Sequence, residues 1–292
     1  MCFGLGVSTI SLAQSTYVFK VLGVSGTVTK HTAQGDVPVN AGTKLMADDA
    51  LLIDGNGYCG LMHQSGKGLE IKKPGNYQVA DLSKNIASNG KNGKVTDRYV
   101  NYVMGQLSKE EAEDINQNHR KYMEVTGSVE RASTNYRIKL VALASNEIQP
   151  KTYNISWAAN SKNSDYQLVV NNLFNETIFS AKTKELSAAI DFAPLFAKHG
   201  KNLIVIVSVV GHPEIKSKEY SFKLAPESVT NELGLSDEKS PVNYMVNGMI
   251  CEEHNLYLDA LSYYKEASNL EASVVEYKTA YDNLAKRITG SK

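Results

Sequence analysis

Between Tyr17 and Leu82 the chain is interrupted too often to form long elements. The clusters Gln34-Gly35-Asp36, Asn40-Ala41-Gly42, Asp54-Gly55-Asn56-Gly57, Ser65-Gly66-Lys67-Gly68 and Lys73-Pro74-Gly75-Asn76 each hold Gly or Asn able to take positive φ. They recur at the roughly 8–12-residue spacing of an all-β domain, and the pieces between them are strand-length. Alternation in Val24, Gly26 and Val28, and again in Leu69, Ile71 and the Tyr77/Val79 pair, agrees with half-buried strands.

The chain has 292 residues, 42% of them hydrophobic and 21% charged, which suits two or three domains with real cores. Thirty-one basic residues cancel thirty-one acidic ones. That balance removes the electrostatic footprint of a dedicated nucleic-acid or anionic-membrane binder, although it leaves room for a local patch. Cysteines stand only at 2, 59 and 251, too few for a disulfide framework or a Cys-rich zinc module. Cys59 and Cys251 read as two small buried hydrophobes in different domains.

Residues 1–15 carry no charge. Phe3–Leu12 has the length of a signal-peptide apolar region, and Ser11-Leu12-Ala13 has the small-x-small form of a cleavage site. Residues 1–13 are therefore expected to be a signal peptide, with the mature chain starting near Gln14; the missing positive flank points either to a start assigned too far downstream or to a loose first strand as the alternative. No other stretch reaches the ~18 apolar residues of a membrane span, and the longest apolar run, Leu203–Val210, is strand-length.

The order Val24/Gly26/Val28, Gly42–Leu45, Asp49–Gly57, Cys59–His63 and Leu69–Gly75 resembles the FecR domain, across about a quarter of the chain. The resemblance implies a compact, β-solenoid-like domain of the bacterial envelope, over residues 14–82. The family's signalling members carry a cytoplasmic regulatory segment and a membrane span, and neither is found in this sequence.

Residues 83–134 read as a linker, polar and Gly/Asn-rich at first, with a short helix at Tyr99–Met104 and a charged helix over 108–122 started by the capping-box spacing Ser108-x-x-Glu111. Strand-like runs occur next at 136–144, 152–157, 165–171, 176–181, 186–191, 202–210 and 217–224. Seven short strands over 135–225 match an immunoglobulin-like sandwich and resemble fibronectin type III modules in layout. Trp157 and Tyr166 are expected core anchors, and the run at 202–210 a central strand buried on both sides. Residues 226–240 read as a second linker.

The last segment, 241–292, is helical, with Ser240 as N-cap and Pro241 at the first helical position. Tyr244, Gly248, Ala260, Tyr264 and Ala267 stand at the spacings of one tetratricopeptide repeat, which this segment resembles; Asn247 and Cys251 depart from its pattern. Val274, Tyr277, Tyr281, Leu284 and Ile288 form a seam at steps of three and four. So short an array leaves an apolar face that must pack on the sandwich, a second copy or another protein.

Chemistry is hard to find. The six histidines are scattered, and neither Cys59/His63 nor Cys251/His254 completes a metal set. Glu110-Glu111 and Glu252-Glu253 are adjacent, and adjacent helical residues diverge. No nucleophile elbow, phosphate loop or dinucleotide fingerprint occurs. Gly55, Gly57 and Gly60 read as a hairpin turn, and Asp48, Asp49 and Asp54 as turn formers without the ligand pattern of a calcium loop. No enzymatic activity, cofactor or metal is expected. Sixteen tyrosines against seven phenylalanines suit half-buried faces. Tyr257, Tyr263, Tyr277 and Tyr281 at the helical end are the candidate partner-binding residues.

The fold expected is multidomain and mainly β with an α-helical C-terminus: a FecR-like β domain, an Ig-like β-sandwich and a three-helix tail. The function expected is that of a non-catalytic, exported adaptor or scaffold subunit, periplasmic or envelope-associated in a Gram-negative-type bacterium. Its partners would be other envelope proteins, a membrane-embedded complex among them, and not nucleic acid. Two alternatives are a FecR-type signalling regulator and a carbohydrate or peptidoglycan binder using Tyr17, Tyr58 or Tyr77.

Overall fold

The computed structural model describes residues 17–32, 35–84, 86, 95–107, 138–159 and 165–290. The signal peptide and the helix over 108–122 lie outside the described residues. The fold is mainly β, in several antiparallel sheets, with a helical C-terminus.

The first unit runs β1 (Phe19–Ser25), β2 (Val28–Thr32), β3 (Gly35–Pro38), β4 (Lys44–Leu45), β5 (Ala50–Ile53), β6 (Tyr58–His63), β7 (Gly68–Ile71), β8 (Gly75–Gln78) and the short α1 (Val79–Lys84). Its strands form two four-stranded sheets, ordered β4-β1-β6-β7 and β3-β2-β5-β8. Every pairing is antiparallel, so stacked parallel coils are not formed. Phe19, Val21, Cys59 and Leu61 from one sheet meet Val28, Leu51 and Ile53 from the other in a core of their own. The turns are made as their residues dictate: Gly26, Gly42, Gly55 and Gly66 take positive φ, and Asp49 Oδ2 accepts from the Met46 amide at 2.7 Å.

Strand β6 is buried on both faces because its alternation serves two cores. Cys59 and Leu61 point into the first unit, while Tyr58 and Met62 belong to the cluster shared with the rest of the molecule. Leu22 joins that second cluster at the register shift between Val21 and Gly23.

Helix α2 (Asp97–Leu107) contains the predicted Tyr99–Met104 segment and buries Val100, Val103 and Met104. The second unit comprises β9 (Ile138–Leu140), β10 (Ser145–Ile148), β11 (Thr152–Ala159), β12 (Tyr166–Asn171), β13 (Thr177–Thr183), β14 (Ser187–Asp191), α3 (Phe192–His199), β15 (Asn202–Val209), β16 (His212–Lys216) and β17 (Tyr220–Leu224). One sheet is ordered β14-β11-β9 and the other β10-β17-β15-β12-β13, with β16 paired to β15. Trp157 and Tyr166 are buried edge-to-face with ring centroids 5.7 Å apart, joining the two sheets.

Two readings of this unit are corrected. Strand β15 is central in its sheet but fully buried on one face only, its residues alternating buried and half-buried, as in a strand whose two faces differ in cover. Helix α3 stands where no helix was expected. Asp191 caps it through the Ala193 amide at 3.1 Å, and Gly200 with φ 92° ends it.

The segment 226–240 is more than a linker, since it holds α4 (Glu227–Glu232) and is hydrogen-bonded to the first helix of the C-terminal end. That end comprises α5 (Pro241–Glu253), α6 (Tyr257–Leu270) and α7 (Val275–Thr289). Ser240 caps α5 by accepting from the Asn243 amide, with Pro241 at the first turn. Asn247, out of pattern for the repeat, is explained by the segment before the helix: its side chain accepts from the Ser236 amide and donates to the Ser236 carbonyl, both at 2.9 Å. A Cβ on Gly248 would lie 2.4 Å from the Tyr264 ring, so α5 and α6 approach closely only because Gly stands there.

The apolar face of the helices meets the sandwich, as one of the three expected solutions required, and also the first β unit, which was not among them. The helices therefore lie between the two β units instead of trailing behind them.

Candidate functional site

The four candidate tyrosines divide. Tyr277 is fully buried, so it offers nothing to a partner in this fold. Its hydroxyl lies 2.9 Å from that of Tyr58, which donates to Glu70 Oε1 at 2.9 Å. Glu70 Oε1 also accepts from the Val242 amide at 3.1 Å, at the start of α5. Burial, then the neighbouring Tyr277 and Glu70, pushes the Tyr58 phenol well up, so both rings act as neutral hydrogen-bonding spacers. Tyr257, Tyr263 and Tyr281 are half-buried. Tyr257 donates to Asn255 at 2.7 Å, and burial with the nearby Glu252 pushes its phenol up to about 12. Tyr263 packs on Tyr244 with centroids 6.0 Å apart and lies under the Lys151 ammonium at 4.6 Å.

The Tyr58–Tyr277 contact sits on a floor of glycines. A Cβ at Gly60 would lie 2.4 Å from the Tyr277 hydroxyl, and one at Gly23 2.5 Å from Val274. Gly60 is thus inside β6, not in a turn, and its missing side chain is the space α7 occupies.

A second seam joins α6 to the sandwich. Asp259, fully buried, accepts from Gln149 Nε2 at 2.8 Å and pairs with Lys151 at 2.6 Å. Cys251 lies in this neighbourhood, where burial and then Asp259 push its thiol well up. Cys59 sits in the other core, its thiol pushed up to about 12 by burial, and both cysteines are free.

A third cluster ties the helices to one another. Glu252 pairs with Arg287, accepts from the Tyr264 hydroxyl at 2.6 Å, and Arg287 Nη1 donates to the Tyr102 hydroxyl at 3.1 Å. Burial alone would lower the Arg287 pKa, but Glu252, Tyr102 and Tyr99 outweigh it and carry it up.

The histidines serve locally. His63 meets Ser65 Oγ at 2.8 Å through Nδ1 and packs edge-on against Phe19, while His254 Nδ1 meets the Ile250 carbonyl at 2.9 Å. Among the described residues no three His, Cys, Asp or Glu side chains are grouped to hold a metal. Of the tyrosines considered for a glycan platform, Tyr17 and Tyr58 are buried and Tyr77 is half-buried.

Glu276 in the first turn of α7 has Oε2 buried without a hydrogen-bond partner. Burial raises its pKa, although the Glu276 and Val24 amides oppose the shift. The native state then holds this proton more tightly than the unfolded chain. Stability drains away as pH climbs from the ordinary carboxyl range through the raised value. Thermal melts should show Glu276→Gln more stable than wild type at pH 7, with the gap closing toward pH 4. A gap that widens in acid would contradict this.

No protein-family model matches the chain, and no curated protein matches it in sequence. The surface itself points to one feature. In the turn joining β12 to β13, Leu173 and Phe174 are 67% and 85% exposed. The turn is tightly built nonetheless. Asn172 Oδ1 accepts from the Phe174 amide at 2.9 Å and the Glu176 amide at 3.0 Å. Asn171 Nδ2 donates to Asn175 Oδ1 at 3.0 Å, and Asn175 takes a left-handed φ of 63°. Sequence reading missed this feature, although Asn-Asn-Leu-Phe-Asn placed between two strand-like runs was its visible signal.

Proposed function

We propose that the chain is a non-catalytic exported envelope protein that acts as an adaptor or scaffold subunit. The observation that carries this reading is the position of the helices between the two β units. Buried links from Tyr277 to Tyr58 and from Asp259 to Gln149 and Lys151 hold both units in one body. Tyr58, Tyr277, Asp259 and Lys151 are engaged in those links. Among the sheet edges left to present are β3 on one unit and β13 on the other. Sheet edges recruit partners by strand addition, and a rigid spacing selects partners that can reach both. The resemblance of the three parts to FecR, immunoglobulin-like and tetratricopeptide modules supports the same reading, as does the uncharged N-terminal stretch for export.

Photo-crosslinking residues placed in living cells at Val37 on β3 and at Ser180 on β13 test it. Adducts with envelope proteins from both positions, to different partners, are expected. A chain that stays uncrosslinked and monomeric from both positions would sink the scaffold reading, and recovery in the cytoplasmic fraction would sink export.

A further inference from the structure

We propose that the β12–β13 turn is a membrane-interface finger, with Leu173 and Phe174 entering the headgroup and upper acyl zone of a phospholipid leaflet. The proposal goes beyond the scaffold reading and needs only that the chain meets a lipid surface.

Phe174 is the most exposed large apolar side chain among the described residues. A loop that enters lipid must first satisfy its own backbone, since each stranded amide is costly there. This turn does so. The Phe174 and Glu176 amides donate to Asn172 Oδ1, the Asn175 amide to the Asn172 carbonyl, and the Asn172 amide to the Glu176 carbonyl. Asn172, whose side chain accepts two of these bonds, and the neighbouring Asn171 are themselves buried at the base of the hairpin. Insertion would therefore remove two apolar side chains from water while leaving few polar groups unpaired.

The geometry favours lipid over a protein pocket. Phe174 offers ~150–250 Å² and Leu173 less, well short of the about 800 Å² each partner gives to a stable protein interface. A bilayer accepts a two-residue tip without that requirement. Charge around the tip is mild. Asn171 pairs with Ile204, so the chain just ahead of β15, with exposed Lys201, continues beside the turn, and Lys198 lies in the last turn of the helix before it. Glu176 within the turn offsets part of this. Binding should thus be driven by apolar insertion and depend little on salt.

The test uses the full chain carrying Phe174→Trp, with buried Trp157 as an internal reference. On vesicles of phosphatidylethanolamine and phosphatidylglycerol, the new indole should shift to the blue and be quenched by lipids brominated near the headgroup. Vesicle cosedimentation should fall on the order of 100-fold for Leu173→Asp/Phe174→Asp, at an unchanged melting temperature, and vary little between about 0.05 and 0.5 M salt. Unchanged emission on vesicles would overturn the proposal. So would a blue shift that needs no lipid and appears on raising the protein concentration or on adding lipid-stripped envelope proteins, because the tip would then be a protein contact. Neither result bears on the crosslinks at Val37 and Ser180, so the two proposals fail separately.

Discussion

Replacing Arg287 by Met is expected to cost the native state about 3–5 kcal/mol, the penalty for leaving a buried carboxylate without its cation. Glu252 is almost completely buried, and Arg287 pairs with it across the α5–α7 contact. The Tyr264 hydroxyl would still donate to Glu252, but a neutral phenol cannot balance the charge. Denaturant melts of Arg287→Met, Glu252→Gln and the double variant form a cycle in which the double change should cost clearly less than the sum of the single ones. Simple additivity, or a loss below about 1 kcal/mol for Arg287→Met, would mean the pair is not coupled as described.

A methyl group on Gly60 should open the contact between the first β unit and the helices. Its carbon would fall 2.4 Å from the Tyr277 hydroxyl and 3.2 Å from that of Tyr58. Such overpacking costs about 1–3 kcal/mol when neighbours must shift. The offending atom is an oxygen that can be removed. Tyr277→Phe alone should destabilise by about 1 kcal/mol through the lost hydrogen bond. Combined with Gly60→Ala it should restore part of the stability that Gly60→Ala removes. If Tyr277→Phe makes Gly60→Ala worse, the clash lies elsewhere and the close approach of α7 to β6 is not what Gly60 permits.

These two experiments probe what the sequence left hidden. Local order was legible wherever one element carried its own signal. Turn clusters marked the strands of the first unit, and Ser240-Pro241 marked the start of α5. Strand β10 was missed because Ser145–Ile148 is short and polar; it exists through parallel pairing to β17 and through Asn146, which bonds the Leu143 and Ser221 carbonyls. Helix α3 had readable caps in Asp191 and Gly200, but Pro194 and the strand-like runs on either side hid it. The tyrosines were legible as amphipathic surface formers and not as to which surface. Tyr277 and Tyr263 look alike in the sequence, and only the glycines at 23 and 60 decide that Tyr277 is swallowed. No periodicity within one segment can reveal a complementarity that two segments create together.

The order of the parts along the chain has a kinetic consequence. The Tyr58–Tyr277 contact spans 219 positions, so the surface formed by Leu22, Tyr58 and Met62 is complete early in synthesis and its cover over Tyr58 waits for α7. Until then the nascent molecule carries an open apolar flank. Its closure requires a search over most of the chain, which slows folding and prolongs the window for self-association. A chain released before α7 is made would leave Tyr58 without its Tyr277 partner and that side of the flank uncovered.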